Sequence, residues 1–242
     1  MQIGCIIEAR MTSKRLPGKV MLEAAGIPML GHLFNRIKKT EKINKIILAT
    51  TINKSDDVLC NFAKVNNIFL HRGSEENVMK RVLDAAEKYK IDIIVSITAD
   101  CPLIDHVIIN KTVDFFLDNK VDYVSNAIIR TYPDGMDTQV YTINSLKKSY
   151  SLATTLMERE HVTLHIRNNL SIFKIRNLEA PRNLFWPDLG LTLDEYKDYI
   201  LIKNIIEYFY DNNHKFFSCG EIISYLRNNP DLLLINKEVQ RK

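Results

Sequence analysis

The chain has 242 residues, of which 46% are hydrophobic and 26% are charged, with a formal net charge of +4. This composition is typical of a soluble globular protein with a full core. The positive charge is spread along the sequence, which argues against a nucleic-acid-binding patch or a membrane-binding arm. No stretch approaches the roughly 18 apolar residues that cross a membrane. We therefore expect neither a nucleic-acid nor a membrane partner.

The cysteines point to the cellular compartment. Cys5, Cys60, Cys101 and Cys219 lie far apart and form neither a zinc pattern nor a disulfide framework. Isolated cysteines of this kind are typical of a reducing cytosol. We expect a cytoplasmic protein.

In the first half of the chain, short apolar runs alternate with helical patterns. In chain order these are a strand at Ile3–Ile7, a helix at residues 30–37, a strand at Ile46–Ala49, a helix capped by Ser55 and Asp56 that runs to about Asn66, a strand at Ile68–Leu70, a helix at Val78–Lys90 and a strand at Ile91–Ile97. Strands that alternate with helices of this length form βαβ units and a parallel sheet.

The pattern loosens after Phe115. It predicts a strand at Val121–Val124, an irregular stretch at Asn126–Asp137, an alternating strand at Thr138–Ile143, and helices at Ser145–Ala153, Met157–Asn168, Glu195–Asp211 and Cys219–Asn229. No linker or repeat is visible, so we expect one domain over residues 1–242. Its nucleotide-binding half would span about 1–120, its acceptor and dimer half 121–194, and its C-terminal helices 195–242. The antiparallel-looking middle would form a lid or a dimer arm.

A basic connection follows the first predicted strand. Residues 9–19 contain four cations, Arg10, Lys14, Arg15 and Lys19, together with two hydroxyls and a glycine. Their position after a strand places them at the sheet edge where open α/β folds bind ligands. Arg, Lys and backbone N–H groups in a loop hold triphosphates by charge-assisted hydrogen bonds. The pattern favours phosphate binding, with a solvated basic loop as the alternative. Neither the Walker motif nor the dinucleotide-binding fingerprint is present.

Two aspartates complete this prediction. Asp100 ends the most apolar predicted strand, where an α/β sheet commonly supplies a Mg²⁺ ligand, and Mg²⁺ takes one or two carboxylates with waters and phosphate oxygens. Asp194 closes another short apolar run and is the best-placed second carboxylate. Its alternative role is to cap the helix that follows. Asp105 is predicted to be a helix cap.

Several motifs follow one another in a specific order along the chain. They are residues 6–19, Arg72-Gly73-Ser74, and residues 97–105, 122–126, 132–137, 159–163 and 192–194. In this order they resemble the spore coat polysaccharide protein SpsF family, a branch of the cytidylyltransferases that activate acidic sugars such as Kdo and neuraminic acid. The resemblance spans the chain. It implies a three-layer α/β/α, Rossmann-like (GT-A-like) nucleotidyltransferase fold with a mostly parallel central sheet, a small antiparallel lid or dimer arm, and a homodimer.

The resemblance also implies roles for individual residues. Asp100 and Asp194 would hold Mg²⁺, and Arg72, Gly73 and Ser74 lie where the base-reading segment falls. The nucleotide-binding residues would be Glu8, Ala9, Arg10, Ser13, Arg15, Lys19, Arg72, Gly73, Ser74, Thr98, Ala99 and Asp100, of which Arg10, Arg15, Lys19 and Asp100 would be catalytic. Position 8 is Glu where this branch often has Gln and the sugar-acid enzymes have Pro, and position 14 is Lys where Thr is common.

The acceptor side has weaker signals. Arg130 would pair with an acceptor carboxylate or phosphate, and Asp134 and Asp137 would orient hydroxyl groups, although their loop also suits an ordinary surface turn. Glu160 and His161 complete the predicted acceptor-binding set.

Two other side chains leave alternatives open. His161 is a substrate contact, a general base or a structural histidine. Its spacing from His165 suits zinc, but no third ligand is near. Trp186 is expected to belong to the core or an interface rather than to a stacking platform.

The hypothesis from the sequence is a Mg²⁺-dependent nucleotidyl transfer. An acceptor hydroxyl or phosphate oxygen would attack the α-phosphorus of CTP and release pyrophosphate, for the synthesis of a surface polysaccharide or glycoconjugate. Three alternatives remain. One uses another nucleotide such as GTP with a sugar 1-phosphate. Another is a GT-A glycosyltransferase, which typically has Asp-x-Asp where this chain has Asp100-Cys101-Pro102. The last is a nucleotide-binding protein without turnover.

Overall fold

The computed structural model describes residues 1–240. The strands, in chain order, are β1 (Ile3–Glu8), β2 (Glu23–Ala24), β3 (Ile27–Pro28), β4 (Lys45–Thr51), β5 (Phe69–Gly73), β6 (Ile93–Thr98), β7 (Tyr123–Ser125), β8 (Gln139–Thr142) and β9 (Ile175–Asn177). The α-helices are α1 (Met29–Ile37), α2 (Asp57–Val65), α3 (Val78–Lys88), α4 (His106–Asp118), α5 (Ile143–Leu152), α6 (Leu156–Glu160), α7 (Leu164–Asn168), α8 (Tyr196–Asp211) and α9 (Cys219–Asn228).

Seven of the strands form one sheet in the order β5-β4-β1-β6-β8-β7-β9. Strands β5, β4, β1 and β6 are parallel, β8 runs antiparallel between β6 and β7, and β9 lies parallel to β7. Strands β2 and β3 form a separate antiparallel pair. This confirms the predicted fold class. The predicted Thr138–Ile143 strand, however, is a member of the central sheet, and the separate antiparallel pair lies at residues 23–28.

Strand β1 lies inside the sheet, between β4 and β6. Its residues Cys5, Ile6 and Ile7 have no exposed surface, as expected of a parallel strand with helices on both faces. Glu8 at its end pairs in register with Ala49 of β4 and Thr98 of β6. The loops that follow these strands therefore meet at one edge of the sheet.

Three apolar clusters form the core. Helices α1, α2 and α4 cover one face of the sheet, and α3, α5 and α7 cover the other, so that successive residues of β1 such as Ile6 and Ile7 belong to different clusters. The third cluster joins α8 and α9 to the segment Leu189–Leu193 and to Tyr132 and Met136. It brings the chain that precedes Asp194 beside the irregular loop at residues 126–137. No helix within residues 1–240 is both long and apolar enough to cross a membrane.

One predicted helix is wrong. Met157–Asn168 is divided into α6 and α7, because the chain leaves the helical conformation at His161 (φ −98°, ψ 83°). Val162 is buried there, and the Thr163 hydroxyl donates to Gln139 Oε1 of the sheet at 2.6 Å. These tertiary contacts override a helical pattern that continues through the break.

The other predicted helices and strands are present within a few residues of their expected bounds, whereas the β2–β3 pair and β9 were not predicted and α4 was indicated only by its cap, Asp105. The capping roles differ. Asp105 caps α4 by accepting from Val107 N at 2.8 Å, as predicted. Neither Ser55 nor Asp56 caps α2 with its side chain. The Asp56 carboxylate instead accepts from Met11 N of the basic loop at 2.8 Å and from the Thr51 hydroxyl.

Gly135 offers a test of the loop between β7 and β8. It has a φ of +99°, and a Cβ there would lie 2.7 Å from the Leu191 carbonyl carbon. We expect Gly135→Ala to lower the free energy of unfolding by about 3 kcal/mol or more, because conformational strain of about 1–3 kcal/mol adds to overlap with backbone. Urea unfolding measures this loss. Gly26→Ala is the control, since Gly26 also has a positive φ (+71°) but nothing lies within 4 Å of its Cβ position. Equal losses in the two variants would contradict the close approach of residues 135 and 191.

Candidate active site

Three distant segments of the chain meet at the Lys19 ammonium. Its Nζ lies 3.0 Å from Asp100 Oδ2 and 3.0 Å from Asp194 Oδ1. Arg15 Nη2 lies 2.8 Å from the other Asp194 oxygen, Oδ2. The Lys19 side chain is only 10% exposed, whereas those of Asp100 and Asp194 are 23% and 17% exposed. The structure thus brings together two cations and two carboxylates that the sequence predicted separately.

Local structure holds each member of this cluster in place. Gly18 takes a left-handed φ of +73°, and its N–H donates to Met11 O at 2.9 Å, which closes the basic loop and aims Lys19 at the sheet edge. Asp100 follows β6 directly, and its carbonyl accepts from Leu193 N at 2.8 Å. That hydrogen bond fixes Asp194 next to Asp100.

Asp194 does not cap the helix that follows it. Glu195 occupies the N-cap position of α8, and Asp198 accepts from the backbone N–H groups of Asp194 and Glu195 at 3.2 and 2.9 Å. The Asp194 carboxylate is therefore directed to Lys19 and Arg15, and the capping alternative for Asp194 is wrong.

The cluster changes the proton affinities of its members. Burial lowers the pKa of Lys19, but attraction to Asp100 and Asp194 outweighs burial and the pKa is raised. Burial raises the pKa of Asp194, but Lys19 and then Arg15 outweigh it and the pKa is lowered. At neutral pH the charged forms are therefore favoured on both sides.

The other end of the basic loop is held by a residue that was not predicted. Arg10 lies 3.4 Å from Glu75 Oε1, and Glu75 also accepts from the Thr12 hydroxyl and the Asn53 side chain. Glu75 directly follows the Arg72-Gly73-Ser74 turn, which is the only signal that the sequence offered for it. Arg10 is thus separate from the Lys19 cluster.

The carboxyl ends of β1, β4 and β6 lie beneath the basic loop. Ser96 Oγ donates to Glu8 Oε1 at 2.7 Å, and burial raises the Glu8 pKa despite this bond and the nearby Arg81 charge. The N–H groups of Ala9 and Ala99 donate to Ala49 O and Glu8 O, at 3.2 and 3.0 Å. The Thr98 hydroxyl lies 3.6 Å from Cys101 Sγ. Glu8 is therefore a carboxyl group on the buried side of these strand ends.

The Arg72-Gly73-Ser74 segment is engaged in local contacts. Arg72 donates from Nε, Nη1 and Nη2 to Thr51 O, Asp57 Oδ1 and Asn53 O, each at 2.8 Å. Ser74 O accepts from the buried Arg81, whose Cγ lies 3.0 Å from the place of a Cβ on Gly73. The Arg72 guanidinium orders the connection between β4 and α2, and its base-reading role stays a prediction, as does the phosphate contact of Ser13.

Arg130, Asp134 and Asp137 come together in one group. Arg130 forms two hydrogen bonds of 2.9 Å to Asp137 and lies 3.2 Å from Asp134. Burial raises the Asp137 pKa even though Arg130 opposes it. The Arg130 charge is thus already balanced by two carboxylates, unlike the free anion-binding group that the sequence predicted.

Glu160 and His161 lie near the Arg10 end of the basic loop. Glu160 Oε1 is 3.9 Å from Arg10 Nη2, and His161 is exposed at the end of α6. His165, in the next helix, pairs through Nδ1 with Glu158 Oε1 at 2.6 Å. The helix break removes the spacing that would suit zinc, and residues 1–240 contain no group of three or more His, Cys, Asp or Glu side chains arranged to hold a metal ion.

A cavity of about 640 Å³ opens beside the Arg130 group. Three segments of the chain line it, with Arg130 and Asp134 from the first, residues 186–190 from the second, and Pro230, Leu233, Leu234, Asn236, Lys237 and Val239 from the third. Its volume lies within the range of sites for small molecules. Trp186 lines this groove, is half-buried and packs against the apolar cluster of α8 and α9, in agreement with its expected place at the core.

Comparison with known proteins agrees with this geometry. The cytidylyltransferase family model matches residues 4–223. The chain is 38% identical to an uncharacterized protein of Methanocaldococcus jannaschii over 100% of this chain and 97% of the relative. It is 32% identical to the spore coat polysaccharide biosynthesis protein SpsF of Bacillus subtilis, over 93% of this chain and 94% of the relative.

Solved structures of cytidylyltransferases share the fold of this chain. A cytidylyltransferase from Leptospira borgpetersenii superposes with a TM-score of 0.91 at 35% identity and 100% coverage of both chains. A CMP:2-keto-3-deoxy-manno-octonic acid synthetase complexed with CTP shares the fold, with a TM-score of 0.65 at 17% identity over 86% of this chain and 99% of the other. These similarities define a nucleotidyltransferase, and within that class the chain belongs to the cytidylyltransferase family.

The cation between the two aspartates makes stability depend on pH. Lys19→Met would leave Asp100 and Asp194 facing each other, which we expect to cost about 2 kcal/mol at pH 7, since loss of one partner of a buried pair costs about 3–5 kcal/mol and these carboxylates are partly exposed. The deficit should shrink toward pH 4. In the wild type the lowered Asp194 pKa contributes stability that is lost as the pH falls, whereas in the variant protonation relieves the repulsion.

Urea unfolding of the wild type and Lys19→Met between pH 4 and pH 8 measures this difference. Lys111→Met on the exposed side of α4 is the control. A deficit that is the same at every pH would contradict the geometry of the cluster.

Glu8 should show a pH dependence of its own. Because burial raises its pKa in the folded state, its contribution to stability is fully present below the unfolded pKa and falls as the pH rises. Glu8→Gln is neutral at every pH and keeps an oxygen for Ser96. Chemical unfolding should therefore show that the variant gains stability relative to the wild type from pH 4 to pH 8. Glu41→Gln, on the exposed α1–β4 connection, is the control, and parallel stability curves for wild type and Glu8→Gln would refute the expectation.

Proposed function

We propose that the protein transfers CMP from CTP to a sugar-like anionic acceptor and releases pyrophosphate, for the synthesis of a surface polysaccharide or glycoconjugate. The observation that carries this proposal is the convergence of Lys19, Arg15, Asp100 and Asp194 at the carboxyl edge of the sheet. The name of the Bacillus subtilis relative supports the polysaccharide context. The CTP complex of a protein with the same fold supports the nucleotide.

The basic loop would hold the triphosphate. Lys19 and Arg15 are rigid because carboxylates already pair with them, and Gly18 fixes the turn between them. A guanidinium binds phosphate and carboxylate oxygens through the same bidentate, charge-assisted hydrogen bonds, and a triphosphate carries more negative charge than one carboxylate. In the reaction these two cations would balance the negative charge that develops on the departing pyrophosphate. The raised Lys19 pKa keeps that charge in place at neutral pH.

Asp100 and Asp194 fit a magnesium site that the substrate completes. One oxygen of each carboxylate lies 3.0 Å from the Lys19 ammonium, so a positive charge already occupies the space between them. Mg²⁺ typically takes one or two protein carboxylates and fills its other positions with water and phosphate oxygens. When bound there, Mg²⁺ would neutralise charge on the α-phosphate and act as a Lewis acid. The chain's own residues would position the phosphates and keep the carboxylates ionised.

The remaining roles follow from placement. Glu8, with the N–H groups of Ala9 and Ala99 close by, would line the nucleotide base, and Arg10 would bind phosphate after exchange with Glu75. The acceptor would enter from the side of Arg130, Asp134 and Asp137. A homodimer and a cytoplasmic location stay predictions of this proposal.

The decisive experiment is pyrophosphate release. We expect release with CTP, and less with GTP, UTP or ATP, when the protein meets a suitable sugar acid or sugar phosphate, and we expect it to require Mg²⁺. Asp100→Asn should lower turnover roughly 10²-fold or more, comparable to the loss of one transition-state donor. Circular dichroism should show that the variant remains folded.

Asp118→Asn, at the exposed end of α4, is the matched control and should keep full turnover. Near-normal turnover in Asp100→Asn would refute the assignment of the metal site. A clear preference for GTP would refute the choice of nucleotide and leave the transfer chemistry intact.

A further inference from the structure

The groove beside Arg130 is built partly from the C-terminal segment. Residues 230–239 form one of its walls, with Leu233 and Leu234 on the apolar part and Lys237 on the rim. Trp186 and Asp134 lie on the other walls. The groove therefore combines an aromatic side chain, an aliphatic surface and a few polar groups, the composition of a small-molecule site.

One wall of the groove is joined to Asp100 by backbone hydrogen bonds. Asp134 N donates to Leu189 O at 2.9 Å, and Leu191 N donates to Asp134 O at 2.8 Å. Two residues later, Leu193 N donates to Asp100 O at 2.8 Å. The groove wall and the candidate reaction centre thus belong to one continuous hydrogen-bonded strip.

The C-terminal wall is joined to the cluster from the other side. Asn236 is buried and donates from Nδ2 to Gly190 O at 3.0 Å and to Asp198 Oδ1 at 2.8 Å. The other oxygen of Asp198 accepts from Asp194 N. Farther along, Gln240 O accepts from Arg15 Nη1 at 3.4 Å. Both walls of the groove are therefore fastened to the residues that surround Lys19.

The charged side chains that line the groove differ in whether they already form ion pairs. Arg130 is balanced by Asp134 and Asp137. Lys237 is exposed and makes no ion pair with any residue in the described range 1–240. Asp188, on the exposed turn after Trp186, offers carboxylate oxygens to hydroxyl donors. Lys237 is thus the cation on the rim that is available to an anionic ligand.

We propose that this groove binds the acceptor of the transfer, and that Lys237, Trp186 and Asp188 are the residues that select it. Lys237 pairs with its carboxylate or phosphate, Trp186 packs against the C–H face of its ring or chain, and Asp188 accepts from its hydroxyl groups. This proposal rests on the proposed function. It goes further by assigning substrate selection to the C-terminal segment at residues 230–239, which lies beyond the family-model match to residues 4–223.

The single tryptophan of the chain makes binding directly visible. Because Trp186 lines the groove, its fluorescence should change in a saturable way when an anion enters. One arm uses the carboxylates 3-deoxy-manno-octulosonate and N-acetylneuraminate, a second uses glucose 6-phosphate and glycerol 3-phosphate, and a third uses neutral mannose and glycerol. We expect a response in one charged arm and none in the neutral arm.

Substitution of Lys237 tests the assigned contact. Lys237→Met should weaken the responding anion about ten-fold or more, because it removes a charge-assisted hydrogen bond, whereas Lys237→Arg should retain most of the binding. Lys111→Met on α4 is the matched control and should bind as the wild type does. In turnover assays Lys237→Met should raise the KM of the acceptor and leave that of CTP unchanged.

The outcomes separate this proposal from the proposed function. Pyrophosphate release from CTP with an acceptor that leaves Trp186 fluorescence unchanged, or that binds Lys237→Met as tightly as wild type, would overturn the groove as the acceptor site while CMP transfer stands. The absence of a response to every charged compound would also overturn it. A Lys237-dependent response without pyrophosphate release from any nucleotide would support the groove and refute CMP transfer.

Discussion

The Lys19 ammonium, held between two carboxylates at 3.0 Å each, is the interaction on which the rest of the site depends. A cation that is 10% exposed is unfavourable without partners, and so is a pair of facing carboxylates. Lys19, Asp100 and Asp194 therefore each need the other two to balance their charges. Because the three residues come from the basic loop, the end of β6 and the segment before α8, this requirement joins the carboxyl edge of the sheet to the C-terminal half.

The balance of charge in this cluster has a consequence for ligand binding. Lys19 and Arg15 carry two positive charges, and Asp100 and Asp194 carry two negative ones, so the arrangement does not repel itself before a ligand arrives. A triphosphate carries about four negative charges, so with one Mg²⁺ ion it still has a net negative charge that the cations of the basic loop would meet. Binding would then be an exchange of partners within a preformed frame, and such preorganised electrostatics are what accelerate charge-developing reactions.

Much of the site could be predicted because its main residues carry local signals. Lys19 follows a Pro-Gly turn, and Asp100 and Asp194 each close an apolar run. The parallel sheet then explains why the loops after β1 and β6 meet. Glu75 and the C-terminal wall had no such signal, since their contacts with Arg10 and Arg15 span 65 and 225 positions in the sequence. The helix break at His161 was missed for the same reason, because the sheet contact of Thr163 is tertiary and the local pattern still favours a helix.

The contact between Gln240 and Arg15 also bears on how the molecule matures. A ribosome delivers the chain from its amino end, so β1, β4, β5 and β6 can pair once residue 98 has emerged. Asp194 arrives about a hundred residues later, and Asn236 and Gln240 emerge after every other group in the site. Until Asp194 emerges, Lys19 has only Asp100 as a partner, and Arg15 lacks the carboxylate that holds it. The basic loop is thus made first and ordered last, and a nascent chain would carry a nearly finished sheet without a completed charge cluster.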